Sequence, residues 1–440
     1  MMLASSLFFI VKVSMKSFIR FLLIVVSCSQ IDSVLAQVDT IQKVVSGRTN
    51  SAEQQKKPYV ILVSADGFRH DYAEKYEAKN LNALSGQGVR AKSMIPSYPS
   101  VTFPNHYTIA TGLYPSHHGL VNNSFFDDTK KASYSMSNQR AVRDGSWYGG
   151  TPLWVLAEQQ QMISASFYWV GSEADIKGTL PTYNYNYNTA ISNPRRIQVV
   201  KEWLNLPENI RPHLITFYFN EPDHEGHTHG PDAEKTKQAV HSIDSAMKAL
   251  NDVVKSTGLP VNIIFLSDHG MTAVDTLNTL PRPAAIDTSK FFVSGDGLMV
   301  YLTAKDRSNR PEIVSMYKKV TKEAVGYKVY LKTKMPGRMH YSAKDDVKNR
   351  IGDIVLVTEW PKMFNLYGRK PSPGMHGYDP YLVKDMHATF YAWGPHIKEG
   401  IEIPAFKNVD VYPIVTEILG LSYTENIDGT KKVATKILKK

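Results

Sequence analysis

The sequence predicts an α/β protein built on a mostly parallel central sheet with helices on both faces. Three observations lead there. Largely apolar runs such as Val60-Ile-Leu-Val-Ser-Ala65 and Val261-Asn-Ile-Ile-Phe-Leu266 read as strands buried on both sides. Helical patterns alternate with those runs: Ala239, Ile243, Met247, Leu250 and Val254 recur at steps of three and four, which is one face of a helix. Two of the apolar runs also stop abruptly at a carboxylate with a glycine close behind, as Asp66-Gly67 and Asp268-His269-Gly270 do. That is how a strand delivers ligands to the carboxyl edge of an open sheet.

Along the chain, residues 1–36 read as an export signal. Met15-Lys-Ser-Phe-Ile-Arg20 is a basic n-region, Phe21 to Val26 an apolar core, and Val34-Leu-Ala36 a small-residue cleavage site before Gln37. Val25-Val-Ser-Cys28 is a rival signal of lipobox type, which would place a lipid anchor on Cys28, and a retained N-terminal anchor is the third alternative. Each version exports the protein, to a periplasmic, outer-membrane-associated or extracellular location. Cys28 is the single cysteine, so the chain has no internal disulfide, and a mature chain cut after Ala36 has no thiol chemistry. Residues 37–57 are polar and aperiodic and read as a flexible lead-in. Residues 58–440 are expected to form a single catalytic domain. Its strands are placed at 59–65, 89–94, 164–169, 213–219, 261–267, 353–358 and 388–393. Helices are placed near 78–85, 102–111, 151–161, 195–205, 310–324 and 409–420, besides the one through Ile243. The stretch 280–345 has a weaker pattern and is rich in Lys, Arg and Pro, the mark of a small inserted lobe. Past the N-terminal segment no stretch approaches the roughly 20 apolar residues that span a bilayer. The formal net charge is +10, or +8 once residues 1–36 are removed. A basic balance suits anionic substrates, although scattered solvated lysines account for it as well. Charge alone gives no reason to expect a stable nucleic-acid partner.

The chemistry concentrates in short patches. Asp66, Asp223 and Asp268 each follow a predicted strand and can therefore converge although far apart in sequence. Pro222 and Gly226 are expected to make Asp223 to His227 a ligand loop rather than a regular helix, and Gly270 to give the backbone freedom that lets Asp268 and His269 reach one site. Thr102 stands just before a helix carrying Pro104, where unpaired N–H groups and the helix dipole favour a phosphate. Singly these are ordinary: an Asp-Gly turn, a helix N-cap, a structural histidine. Together with His227, His269 and His376 they supply three Asp, three His and a hydroxyl, enough ligands for two divalent metals, which is a device for phosphoryl transfer.

The order and wording of these patches resemble the nucleotide pyrophosphatase/phosphodiesterase branch of the alkaline phosphatase superfamily. The matching stretches are Asp66-Gly-Phe-Arg69, Thr102-Phe-Pro-Asn-His-Tyr107, Thr111 to Gly119, Glu221 to Pro231, Ser267-Asp-His-Gly-Met271 and His376-Gly-Tyr-Asp379. The resemblance runs from about Pro58 past Leu421 and implies an alkaline phosphatase-like sandwich. It implies two zinc ions per chain, one on Asp223, His227 and His376, the other on Asp66, Thr102, Asp268 and His269. It also implies that Thr102 is the nucleophile of a covalent phosphothreonine intermediate and that Asn123 binds a non-bridging phosphate oxygen. His106, His118, His224 and His229 match no ligand position and read as structural or peripheral.

Substrates in this family include nucleotide diesters, lysophospholipids and choline phosphodiesters. The segment Leu180-Pro-Thr-Tyr183-Asn-Tyr185-Asn-Tyr187-Asn188 resembles one that nucleotide-cleaving members carry, in which Tyr187 matches a base-stacking tyrosine and Phe103 the opposite face. Aromatic stacking suits a base and tolerates its identity. Which of Tyr183, Tyr185 and Tyr187 stacks stays open at one repeat, and a surface-packed Tyr-Asn loop or edge strand is the plain alternative. The reading is an exported nucleotide pyrophosphatase/phosphodiesterase releasing nucleoside 5′-monophosphates from a small-molecule nucleotide. The runners-up are a choline-type head-group phosphodiesterase or a phosphomonoesterase on the same two-metal site, and a non-enzymatic binding protein. Oligomeric state is not legible.

Overall fold

The alternation of side chains along the apolar runs decides the layers. In the Tyr59–Ala65 strand, Val60 and Leu62 enter one apolar core while Tyr59, Ile61, Val63 and Ala65 enter another. The neighbouring strands Leu214–Phe219 and Val261–Leu266 divide in the same way, so the sheet is covered on both faces. The computed structural model describes residues 40–439, and the predicted export signal and Cys28 lie outside the described residues. From Ile41 onward the chain is one compact unit.

The central sheet has nine strands in the order Lys43–Val44, Tyr183–Tyr185, Ser164–Phe167, Leu214–Phe219, Tyr59–Ala65, Val261–Leu266, Phe390–Trp393, Val89–Ala91 and Ile401–Ile403. Lys43–Val44 and Phe390–Trp393 run against their neighbours and the others are parallel. The predicted helix through Ile243 spans Glu234–Ser256 and buries Ala239, Ile243, Met247, Leu250 and Val254. Among the described residues no helix is long and apolar enough to cross a membrane.

Several boundaries differ from expectation. The stretch read as a flexible lead-in is partly fixed: Lys43–Val44 pairs with Tyr183–Tyr185. The buried Asn50 carboxamide also donates to the carbonyls of Glu208 and Arg211 at 2.9 and 2.7 Å. Sheet edges and buried loop carbonyls need partners, and this polar segment supplies them. The run at 89–94 breaks into Val89–Ala91 and Met94–Ile95. The run at 353–358 is the strand Ile354–Thr358, but it sits in a separate antiparallel sheet ordered Phe291–Gly295, Met299–Ala304, Ile354–Thr358, Tyr327–Leu331. Helix Arg310–Lys322 covers one face of that sheet around Val300, Leu302, Ile354 and Leu356. The other face, with Met299, Tyr301, Val355 and Val357, joins the main core. A continuous apolar run looks the same whichever sheet receives it.

Two ties fix this second sheet to the rest. Thr272–Ala273 pairs antiparallel with Gly374–Met375, so the chain leaves and returns through one two-stranded clasp. Buried Arg350 reaches Asp127 Oδ2 with Nε at 2.7 Å and donates from Nη1 to the carbonyls of Gly119 and Trp147 at 2.8 and 2.6 Å. Arg350→Met would leave the Asp127 carboxylate buried without its cation. The expected cost is about 3–5 kcal/mol, read as a lowered urea midpoint at unchanged slope.

Candidate active site

Three adjacent parallel strands build the floor of the site. Tyr59–Ala65 is flanked by Leu214–Phe219 and Val261–Leu266, and their carboxyl ends carry Asp66, Asp223 and Asp268. The first turn depends on glycine: Gly67 has φ +65°, and a Cβ there would lie 3.0 Å from the Asp223 Cα. The same turn lets the Gly67 N–H and Ser267 Oγ donate to Asp268 Oδ1 at 3.3 and 3.2 Å. The Asp223 N–H also donates to the Asp66 carbonyl at 3.1 Å.

Two local expectations are corrected. Asp223–His229 is a helix, not a loop. Pro222 stands at its N-cap, where no helical N–H is required. Gly226 packs on the Met271 side chain, which a Cβ would approach to 3.1 Å, and its carbonyl oxygen leaves no room for a Cβ on the facing Gly374, 2.2 Å away. The helix then sets Asp223 and His227 four residues apart on one face. Gly270 does not use a left-handed φ. It is required because a Cβ would meet the Asp385 carbonyl oxygen at 2.0 Å.

The ligand atoms point at one another. Oδ1 of Asp66, Oδ1 of Asp223 and Oδ2 of Asp268 are buried oxygens with no hydrogen-bond partner. Each histidine has its Nδ1 within hydrogen-bond distance of a backbone carbonyl, His227 with Gly374 at 2.8 Å, His269 with Gly270 at 2.9 Å and His376 with Ser100 at 3.0 Å. With the proton on Nδ1, each Nε2 faces the site as a lone pair. His227 and His376 present their Nε2 atoms 3.0 Å apart, each 3.5 Å from Asp223 Oδ1. His269 Nε2 lies 2.9 Å from Asp268 Oδ2 and 3.4 Å from Asp66 Oδ1. Asp66, Asp268 and His269 form one group that could hold a cation, and Asp223, His269 and His376 form another. His269 therefore stands between the two groups, and His227 completes the outer one. Burial and the charges of Asp268 and Asp223 push Asp66 well above the carboxylate range. Burial also works against the Asp268 carboxylate, but His269 and His106 outweigh it and hold that group well below. Burial and the neighbouring rings of His269 and His227 keep His376 neutral. Three converging carboxylates with unpartnered oxygens, facing histidine lone pairs, are groups that could hold divalent metal cations.

The helix Thr102–Thr111 has the predicted bounds, but Thr102 is its first residue and not the one before it, with Oγ1 3.2 Å from His269 Nε2. Asn123 Oδ1 accepts the Phe103 N–H at 2.9 Å, so what its carboxamide offers a ligand is the NH2 group. His106, read as structural, lies against the site: Nδ1 is 3.0 Å from the Thr102 carbonyl and 3.3 Å from Asp268 Oδ2, and Nε2 is 2.8 Å from Ser64 Oγ. His118 packs inside, with Nε2 3.0 Å from Thr108 Oγ1, and His229 pairs with Glu225 near the surface.

A cavity of about 750 Å³ opens beside Asp66, Thr102, Asp223 and His227. Phe103, Tyr168, Trp169, Tyr187 and Tyr218 line it, and His224 stands at its edge. Of the three candidate tyrosines only Tyr187 lines this cavity. Tyr185 stacks on Phe167, and the Tyr183 hydroxyl donates to the Ile210 carbonyl at 3.0 Å. Strand Tyr183–Tyr185 ends just before Tyr187, which puts that ring past the carboxyl edge of the sheet. Sequence reasoning missed Tyr218, whose hydroxyl donates to Asp66 Oδ2 at 2.7 Å, and Glu173, which accepts the Tyr187 N–H at 2.8 Å and pairs with Arg143 at 3.0 Å. Tyr218 lies in an apolar strand and carries no motif, and Glu173 lies in a loop.

Comparison with known proteins agrees with this geometry. The family described as Type I phosphodiesterase / nucleotide pyrophosphatase matches residues 60–379. Mouse ectonucleotide pyrophosphatase/phosphodiesterase family member 1 is 32% identical over 401 residues, covering 88% of this chain and 43% of the relative. Venom phosphodiesterase 2 of Crotalus adamanteus is 33% identical over 418 residues, covering 90% of this chain and 49% of the relative. The chain thus spans less than half the length of these curated relatives. Among solved structures, human ectonucleotide pyrophosphatase / phosphodiesterase 5 superposes with a TM-score of 0.80 at 27% identity, over 87% of this chain and all of that one. The murine protein, in an inactive threonine-to-alanine variant in complex with AMP, gives 0.79 at 27% identity, again over 87% of this chain and all of that one. By sequence, fold and the arrangement of its strand ends, this chain belongs to the type I phosphodiesterase / nucleotide pyrophosphatase family of the alkaline phosphatase superfamily.

Proposed function

We propose that this chain is an exported two-zinc nucleotide pyrophosphatase/phosphodiesterase that cleaves phosphodiester or phosphoanhydride bonds and releases nucleoside 5′-monophosphates. The observation that carries this reading is a single cavity with two kinds of wall. One holds Thr102 beside Asp66, Asp223 and His227, and the other holds the rings of Phe103 and Tyr187. The AMP complex of the murine relative supports a nucleotide in such a cavity. Zinc bound to the Asp and His groups would lower the pKa of a hydroxyl and spread the charge of the transferring phosphoryl group.

The residues divide the remaining work. Phe103 and Tyr187 hold the base, fixing the phosphorus within reach of Thr102 Oγ1. The Thr102 oxygen forms the new bond to phosphorus as the bond to the leaving oxygen breaks, and its proton leaves to water. The Asn123 NH2 group donates to a non-bridging oxygen where negative charge grows. Water then cleaves the phosphothreonine ester, freeing the monophosphate and restoring the hydroxyl.

Two features weigh against the alternatives. Among the described residues no lysine or arginine lines the cavity, so a monoester's second charge has no cationic side chain to meet it. The acidic residue among the aromatic rings, Glu173, is already paired with Arg143, which leaves it a poor partner for a quaternary ammonium. Initial rates on p-nitrophenyl-TMP, p-nitrophenyl phosphate and p-nitrophenyl phosphorylcholine test this directly, and the TMP ester should be fastest. Tyr187→Ala should then raise KM for the TMP ester by roughly 5- to 150-fold, the equivalent of about 1–3 kcal/mol of stacking. A faster rate on the choline or monoester substrate would remove the nucleotide assignment and keep the metal centre.

A further inference from the structure

Each carboxylate of the cluster has two oxygens, and something must decide which one meets the cation. For Asp268 the choice is made by backbone and a neighbour: Gly67 N–H and Ser267 Oγ hold Oδ1, and Oδ2 is left facing His269. For Asp66 it is made by one side chain. Tyr218 Oη donates to Oδ2 at 2.7 Å, while Oδ1 has no hydrogen-bond partner and lies 3.4 Å from His269 Nε2. Tyr218 sits on Leu214–Phe219, paired to the strand that carries Asp66, with Ser64 opposite Tyr218 in the register. Its ring is held edge-on between His106, at 5.2 Å, and Tyr187, at 6.1 Å. The packing of the ring against these two neighbours therefore aims the hydroxyl.

We propose that Tyr218 is a positioning residue: its hydroxyl fixes the rotation of Asp66 so that Oδ1 is presented to the inner metal group formed with Asp268 and His269. The inference rests on the two-metal reading of the site. A partner on the outer side of a ligand fixes the ligand's orientation, and losing such a partner typically weakens metal binding by about 10- to 100-fold. Because the hydroxyl reaches only Asp66, the effect belongs to one of the two metal groups.

The test is Tyr218→Phe, which keeps the ring in its slot and removes only the donor. Zinc bound to purified wild-type and variant chains is titrated against a competing chelator, alongside thermal denaturation of both metal-free proteins. The expected result is one zinc held about 10- to 100-fold more weakly, the second unchanged, and metal-free melting temperatures close together. The double variant Asp66→Asn/Tyr218→Phe should lose no more zinc affinity than Asp66→Asn alone, since the hydroxyl acts only through that carboxylate. Wild-type affinity at both sites in Tyr218→Phe overturns the proposal. So does an equal loss at both sites with a lowered metal-free melting temperature, which is the signature of packing. A wild-type chain that binds fewer than two zinc ions would instead fail the two-metal reading itself, so the two failures are distinguishable.

Discussion

Thr102→Ala is expected to abolish turnover of the TMP ester, by at least about 10³-fold in kcat, while the protein still folds and keeps the Asp and His groups that could hold metal. The reasoning is local. Thr102 is half-buried at the start of its helix, and its hydroxyl lies 3.2 Å from His269 Nε2. Alanine removes the only hydroxyl at that position without disturbing the buried Asp66, Asp268 and His269. Substrate should still bind, because Phe103, Tyr187 and Asn123 are untouched. The check is a stopped assay with p-nitrophenyl-TMP together with zinc content and a thermal melt. Substantial activity in a folded, zinc-loaded variant would move the nucleophile elsewhere, and water would be the first alternative.

Removal of metal should be as severe and should reach stability as well. Chelation is expected to eliminate activity, restorable by zinc, and to lower the melting temperature. A ligand that binds only the folded state at a thousand times its Kd stabilises by about 4 kcal/mol per site. The pH dependence has a definite sign. In the metal-free chain burial and the charges of Asp268 and Asp223 raise Asp66 above its unfolded value. A group raised on folding stabilises fully below its unfolded pKa, and that contribution is lost as pH rises through the folded one. Metal binding requires the ionised carboxylate and releases its proton, so the stabilisation by zinc grows as pH rises. Melts with and without chelator should diverge at neutral pH and converge in acid. A gap that stayed constant across that range would mean that Asp66 does not titrate on binding.

The parts of this site that could be read in the sequence are those whose local pattern has one physical meaning. The runs ending at Asp66 and Asp268 are largely apolar, and strands buried on both faces must look like that. The Thr102–Thr111 helix agrees with its predicted bounds because Pro104 in the first turn and Gly112 at the end punctuate it. Other parts depend on three-dimensional neighbours. Pro222 and Gly226 read as helix breakers, yet proline is harmless at an N-cap and Gly226 sits within a helix packed on Met271, well along the chain. Tyr183, Tyr185 and Tyr187 repeat with one spacing, and only the point where the strand stops separates the two core rings from the cavity ring. Tyr218 has the pattern of a core residue, and its hydroxyl gains meaning only beside Asp66. The strand Ile354–Thr358 shows the same limit at the level of topology: pairing partners set its sheet, and they are not a local property.

The two-stranded clasp between Thr272–Ala273 and Gly374–Met375 gives the architecture a form of insulation. Residues on its two sides, Asp268-His269 and His376, are the proposed ligand positions, and everything between them is a detour whose ends are tied together. A length change in the outward loops of that detour, such as the turn after Ala304, alters the span of chain and leaves the distance between the tied ends untouched. Loop-closure entropy grows only slowly with added length. Lineages can therefore lengthen or remodel the second sheet's periphery, and engineers can graft into it, with the spacing of the proposed metal ligands held constant by two rungs of backbone pairing.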